Sequence, residues 1–179
     1  MGTVKTTQPR QHHGFMYEKK IINQYNLIPT NTYTHKFDAY TKTKIPVQIK
    51  CIKFGSEICL GSLLNNQTIS DDFILHIGFW KSNKFNIISE ITLLITQEFW
   101  YKITYFAETN TMWHEFKTTK TPPIIRKKYN QLWKDRNPLS PIKPRFKHSK
   151  SKNTRRIQCA IRFKDFFEYI LKCSTPVKL

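Results

Sequence analysis

The sequence predicts an α/β protein of the α+β kind, a mixed sheet of four to six strands flanked by helices, and three observations carry that expectation. A stretch of helical period stands near the start, over residues 15–26. A hairpin pattern of period two follows it over residues 36–53. Beyond residue 57 come runs of β-branched and aromatic residues, which fit a pleated, half-buried surface.

Residues 1–13 are polar, contain Pro9, and predict a mobile arm. From Phe15 to Asn26, Tyr17, Ile21, Ile22 and Tyr25 recur at helical spacing while Lys19, Lys20, Asn23 and Gln24 fall opposite, so an amphipathic helix is expected, ending before Pro29. Glu18 lies on the border of its apolar stripe, where a carboxylate needs a partner. In the hairpin, strand alternation separates Phe37 and Ala39 from Lys36, Asp38 and Tyr40. After the turn Thr41-Lys42-Thr43-Lys44 it separates Val47, Ile49 and Cys51 from Gln48 and Lys50. Asp38, Gln48 and Lys50 are therefore expected on one face. Residues 57–64, DDFILHIGFWK (71–81), FNIISEITLLI (85–95) and FWYKITYF (99–106) all read as further strands.

The chain has 179 residues, about the size of one domain, and carries 30 Lys and Arg against 12 Asp and Glu, a formal charge of +18. Such a balance costs self-repulsion unless a polyanion neutralises it, which makes nucleic acid the leading partner class. The charge is concentrated. Residues 117–164 hold sixteen Lys or Arg and one acid, Asp135, so this segment supplies +15 of the total. Arg126, Lys127, Lys128, Arg136, Lys143, Arg145, Lys147, Arg155 and Arg156 are the candidates for neutralising the phosphates of double-stranded DNA. Prolines at 122, 123, 138, 141 and 144 are expected to keep the segment out of long regular elements. The expected organisation is a single domain: an arm over 1–13, a catalytic core over 14–116, and a basic DNA-recognition insert over 117–154. A strand, RRIQCAIRF, and a helix, KDFFEYILK, then return to the core within 155–179.

Several classes are disfavoured. No apolar run reaches the roughly 20 residues of a membrane span, and the start of the chain has no apolar signal core, so an intracellular, cytoplasmic, non-secreted protein without membrane contact is expected. Cys51, Cys59, Cys159 and Cys173 lack the C-x-x-C spacing of zinc sites and read as reduced thiols. The histidines are scattered without H-E-x-x-H, and no glycine-rich phosphate loop exists, so neither a zinc enzyme nor a nucleotide cofactor is expected. Asp71-Asp72 reads as a solvated turn, with Glu57 kept as a reserve ligand.

A helix bearing Glu18, then Asp38, nine residues, and Gln48-Ile49-Lys50 on the next strand resembles the PD-(D/E)XK nuclease superfamily, the restriction-endonuclease-like fold. In that family a helix precedes a hairpin with an Asp on one strand and Glu-x-Lys, or its Gln-x-Lys variant, on the next. The resemblance covers residues 14–53 by motif and the rest by order of elements. It implies a divalent-metal-dependent DNA endonuclease with magnesium as cofactor. Asp38 would be the central ligand, Glu18 a second carboxylate, and the Gln48 amide oxygen and Ile49 carbonyl further donors. Lys50 would position or deprotonate the attacking water and offset transition-state charge. It further implies a type II restriction enzyme acting as a homodimer, with a junction-resolving or repair nuclease as the rival. Gln48 departs from the acidic form of the motif. The missing charge favours one ion with Glu18 as compensation, and it leaves open a noncatalytic DNA-binding protein on the same fold.

Overall fold

A computed structural model describes residues 10–30, 36–81, 86–104, 109–136, 141–149 and 154–179. The chain divides into two compact units, each made of several segments: residues 1–54, 73–94 and 176–179 form one, and 55–72 with 95–175 the other. Where the sequence suggested a continuous core over 14–116, residues 55–72 and 95–116 fall in the second unit with the basic segment. The pairing of strands explains the division, since the strand after residue 57 pairs with a strand beyond residue 153.

The first unit opens with helix α1, Arg10–Gln24. Residues 10–13, expected in the arm, are helical, and residues 1–9 lie outside the described residues. Tyr17 and Ile21 are buried on the apolar stripe. The helix ends as its sequence dictates: Asn26 adopts φ 50°, and the Leu27 N–H donates back to the Ile22 carbonyl at 2.9 Å, closing the last turn. Strands β1 (Ile28–Pro29), β2 (Ala39–Tyr40) and β3 (Pro46–Lys53) pair antiparallel in succession. The turn between β2 and β3 is tied by Thr41, whose hydroxyl accepts the Ile45 N–H at 3.0 Å, with Lys44 in the left-handed region at φ 65°.

The chain then leaves this sheet through β4 (Ile58–Ser62) and helix α2 (Leu63–Gln67), both of the second unit, and re-enters as β5 (Phe73–Lys81), parallel to β3. Strand β6 (Asn86–Ile95) and a short β9 (Thr175–Pro176) complete a mixed six-stranded sheet of order β1-β2-β3-β5-β6-β9. The expected α+β class and strand count stand. Buried on both faces, Phe73 to Phe79 form a continuous apolar run interrupted by His76 and Gly78.

In the second unit the first six residues of FWYKITYF are helical where a strand was expected: α3 spans Gln97–Thr104, and residues 105 and 106 lie outside the described residues. Trp100, Ile103 and Thr104 are its buried residues, at helical spacing, and the Thr96 side chain accepts the Phe99 N–H at 3.3 Å as an N-cap. Local capping outweighs the β propensity of the aromatic residues. Helix α4 (Thr109–Thr118) and α5 (Pro122–Arg136) follow. Of the prolines expected to break the basic segment, Pro122 and Pro123 instead start α5, because at the first helical positions the missing N–H is not needed, and Pro138 lies outside the described residues. Strands β7 (Ile142–Ser149) and β8 (Thr154–Ile161) pair antiparallel, and with β4 they make a three-stranded sheet of order β4-β8-β7. Pro144 is accommodated because β7 is an edge strand. A short helix α6 (Phe163–Asp165) runs into a π-helical stretch, Phe166–Leu171, where a helix was expected. No helix among the described residues is long and apolar enough to cross a membrane.

In the first unit the Tyr17 ring lies directly on Gly78, where an added Cβ would stand 2.3 Å from Tyr17 Cζ. Gly78→Ala is therefore expected to destabilise the protein by about 1–3 kcal/mol, the usual cost of overpacking, as a lowered midpoint in urea denaturation. An unchanged midpoint would rule out this seating of the ring.

Candidate active site

The antiparallel register pairs Ala39 with Val47 and Tyr40 with Pro46. One step further this sets Asp38 across from Gln48, so the two side chains share a face, and Lys50 joins them because strand side chains repeat every second residue. The Asp38 N–H still donates to the Val47 carbonyl at 3.0 Å, but β2 proper starts only at Ala39. The Asp38 side chain takes over where the ladder stops. Its Oδ2 accepts the Ile49 N–H at 2.7 Å and a hydrogen bond from the Gln48 amide nitrogen, and the Lys50 ammonium stands 3.6 Å away. Asp38 and Lys50 are each about one-fifth exposed.

Three of the four residues singled out by sequence are thus in direct contact, and Glu18 is brought near them by α1. Burial raises the Glu18 carboxyl above the ordinary carboxylate range. The negative charge of Asp38 raises it further, and Lys50 acts against both. Two carboxylates and one ammonium leave the cluster one negative charge in excess. That donor set is chemically suited to a hard cation: two carboxylates, and an amide whose nitrogen is committed to Asp38 so that its oxygen remains as donor. Ile49 contributes its N–H to Asp38; no contact of its carbonyl at the site is described. Among the described residues no group of three or more His, Cys, Asp or Glu gathers in a way that could hold a metal, so a cation here would rely on the amide and on water for its remaining ligands.

Glu57, the reserve ligand, belongs to the second unit and is engaged by Arg145 at 2.7 Å. Asp71 and Asp72 are exposed, as expected of a turn; Asp72 accepts the Gln97 N–H at 2.8 Å and so caps α3. Burial pushes the Cys51 thiol up to about 12, which keeps it protonated and removes it as a nucleophile.

The sequence reading passed over a second polar cluster beside the site. The Tyr17 hydroxyl lies 2.8 Å from His76 Nε2 and donates to Glu90 at 2.9 Å, while His76 Nδ1 lies 2.8 Å from the Thr92 hydroxyl. One assignment satisfies every partner: Thr92 O–H to Nδ1, Nε2–H to the Tyr17 oxygen, Tyr17 O–H to Glu90. It requires neutral His76, and burial lowers that imidazole's pKa in the same sense. His76 pairs in register with Ile49, between the two motif residues Gln48 and Lys50. The available signal was a lone histidine inside an otherwise apolar strand, which has to be hydrogen-bonded wherever the strand is buried.

The basic residues sort into different roles. The Arg155 guanidinium, expected on DNA, donates to the carbonyls of Phe116, Lys117 and Thr119, at 2.9 Å for Lys117 and 2.8 Å for Thr119, and caps the C-terminal end of α4. Lys128 is paired with Glu115 at 2.9 Å. Lys127, Lys147 and Arg156 are exposed, and Arg126 and Lys143 are half-buried. The side chain of Arg136 lies outside the described residues.

Compared with known proteins, the chain matches no family model and no curated sequence.

A raised carboxyl pKa has a definite sign in stability. The folded state holds the Glu18 proton more tightly than the unfolded chain, so stability falls as pH rises from the unfolded value through the folded one. Glu18→Gln should therefore be more stable than the parent at neutral pH, with the difference vanishing below about pH 4.5. Denaturant titrations of both proteins across pH check this.

Proposed function

We propose that the protein is a divalent-metal-dependent DNA endonuclease that hydrolyses phosphodiester bonds at the Asp38 site. The observation that carries the reading is the meeting of Asp38, Gln48 and Lys50 at one strand end, with a second carboxylate, Glu18, close enough to be repelled by the first. A Glu18 carboxyl raised by burial and by the charge of Asp38 favours a cation between the two. Asp38, Glu18 and the Gln48 amide oxygen would hold it, with the Ile49 carbonyl as a further donor, and magnesium suits such oxygen ligands. When bound, the ion supplies polarisation of a phosphate oxygen and acidification of a water.

The remaining chemistry falls to the chain itself. Lys50 is kept in place by Asp38, and its ammonium can offset charge developing on the phosphate and orient the attacking water by donating to its oxygen. Asp38, fixed by the Ile49 N–H, is preorganised and loses no freedom when substrate arrives. The +15 segment supplies the countercharge for duplex DNA. Sequence-specific double-strand cleavage by a homodimer, in the manner of a type II restriction enzyme, follows if one site per subunit cuts one strand. An intracellular, cytoplasmic setting belongs to this reading.

A second reading is favoured by Gln48. Its neutral amide donates to Asp38, so Asp38 already serves as a ladder cap without any cation. The protein would then be a noncatalytic DNA-binding module.

Plasmid DNA incubated with the protein and magnesium, and with chelator instead, separates the two on a gel. Discrete magnesium-dependent bands support the restriction enzyme, and retarded but intact plasmid supports the binding module. Asp38→Asn and Lys50→Ala should each lower the cutting rate by on the order of 10²–10⁴-fold while leaving DNA affinity within a few-fold. Cutting by either variant at the parent rate would remove Asp38 and Lys50 from the mechanism.

A further inference from the structure

The hairpin of β7 and β8 separates its residues by parity. The pairs Ile142–Ile161, Pro144–Cys159 and Phe146–Ile157 are buried on one face. The alternate pairs, Lys143–Ala160, Arg145–Gln158 and Lys147–Arg156, occupy the other. Four cations therefore stand on one face of the β7–β8 pair, at steps of about 6.8 Å along β7, with Arg145, Lys147 and Arg156 exposed and Lys143 half-buried. Lys147 and Arg156 face each other directly, an arrangement of like charges that destabilises a sheet unless something neutralises it. Arg155, of opposite parity, is spent on the end of α4, so the division between structural and outward cations is built into the strand.

Arg145 on this face is already held by an acid. Arg145 Nη1 lies 2.7 Å from Glu57 Oε2, with the two side chains 50% and 29% exposed. The carboxylate thus occupies one side of a solvent-accessible guanidinium, on a face that also carries Lys147 and Arg156, where an anionic oxygen of another molecule can replace it.

We propose that the outward face of β7–β8 is the surface that grips duplex DNA, and that Glu57 is an internal stand-in for a phosphate on Arg145, displaced when DNA binds. This rests on the nucleic-acid part of the function proposed above and not on the chemistry at Asp38. Consecutive outward cations along the edge strand β7 can follow the phosphates along one DNA strand. The Glu57 carboxylate weakens binding by competing for Arg145 and lowers nonspecific affinity.

The test uses the full chain, in chelator so that no cutting occurs, with a fluorescent duplex oligonucleotide titrated over a range of salt concentrations. Glu57→Gln should bind about two- to fivefold tighter, the strength expected of the exposed pair that it removes, with the log-log salt slope near that of the parent because Arg145 meets a phosphate in both. Glu168→Gln changes net charge equally at an exposed acid paired with Lys164, and should leave the affinity near that of the parent. In an Arg145→Gln background the gain from Glu57→Gln should disappear. Lys147→Ala should flatten the slope by about 0.9. A Glu57→Gln variant that binds no tighter, or a gain that survives Arg145→Gln, overturns the stand-in. Duplex binding that ignores all of these changes overturns the face. Absence of any duplex binding by the parent at low salt would overturn the nucleic-acid reading as well.

Discussion

The seating of Tyr17 is the constraint on which the first unit depends. Its ring needs the bare Cα of Gly78, and its hydroxyl needs both His76 and Glu90. Together these fix the height and the azimuth of α1 over β3 and β5. A buried hydroxyl and imidazole each satisfied twice contribute only modestly in net terms, but leaving any one of them unpaired would cost about 1–3 kcal/mol. The helix is therefore specified by its polar contacts as much as by Ile21 and the apolar cluster around it. Glu18, the next residue, inherits that placement. Its position beside Asp38 is thus a consequence of how its neighbour is held.

Asp38 answers two demands with one group. The strand β2 stops at Ala39, leaving the Ile49 N–H without a backbone partner from that side, and the Asp38 carboxylate supplies the missing acceptor. The described contacts all fall on Oδ2. A carboxylate has two oxygens, so structural use of one is compatible with chemical use of the other. This separates Asp38 from an ordinary solvated strand acid, which would have no reason to gather an amide, a backbone N–H and an ammonium at once. It also means that an intact cap does not by itself distinguish an enzyme from a binding protein.

Much of this was legible in the chain. The hairpin parity of Asp38, Gln48 and Lys50 follows from a period of two that one register fixes, and the α1 stripe follows from a period of 3.6. What escaped depends on information that local pattern does not carry. FWYKITYF has strand-like composition, and the helix over its residues 99–104 is decided by Thr96 at the N-cap and by burial of Trp100 and Ile103 on one side. Pro122 and Pro123 have opposite meanings inside a helix and at its start. Arg155 and Arg156 are neighbours in sequence, and only the register against β7 reveals that one faces carbonyls and the other solvent. The partnership of β4 with β8, which joins Ile58 to Ile161, could not be read from either strand alone.

The last residues of the chain lie on the same cluster as the first helix. Val177 and Leu179 pack against the core that holds Tyr17 and Ile21, and the Val177 N–H donates to the Thr92 carbonyl at 3.1 Å. Contacts of such long sequence separation raise contact order, and chains dominated by them fold slowly. The equilibrium cost is small, since doubling a loop adds only about 0.6 kcal/mol, so the effect is one of time and not of stability. During synthesis β6 must wait for Thr175 and Pro176 to emerge before that edge is covered. An open apolar edge in a nascent chain is an invitation to mispairing, and the interval before it closes is when the protein is most exposed to chaperones and to aggregation.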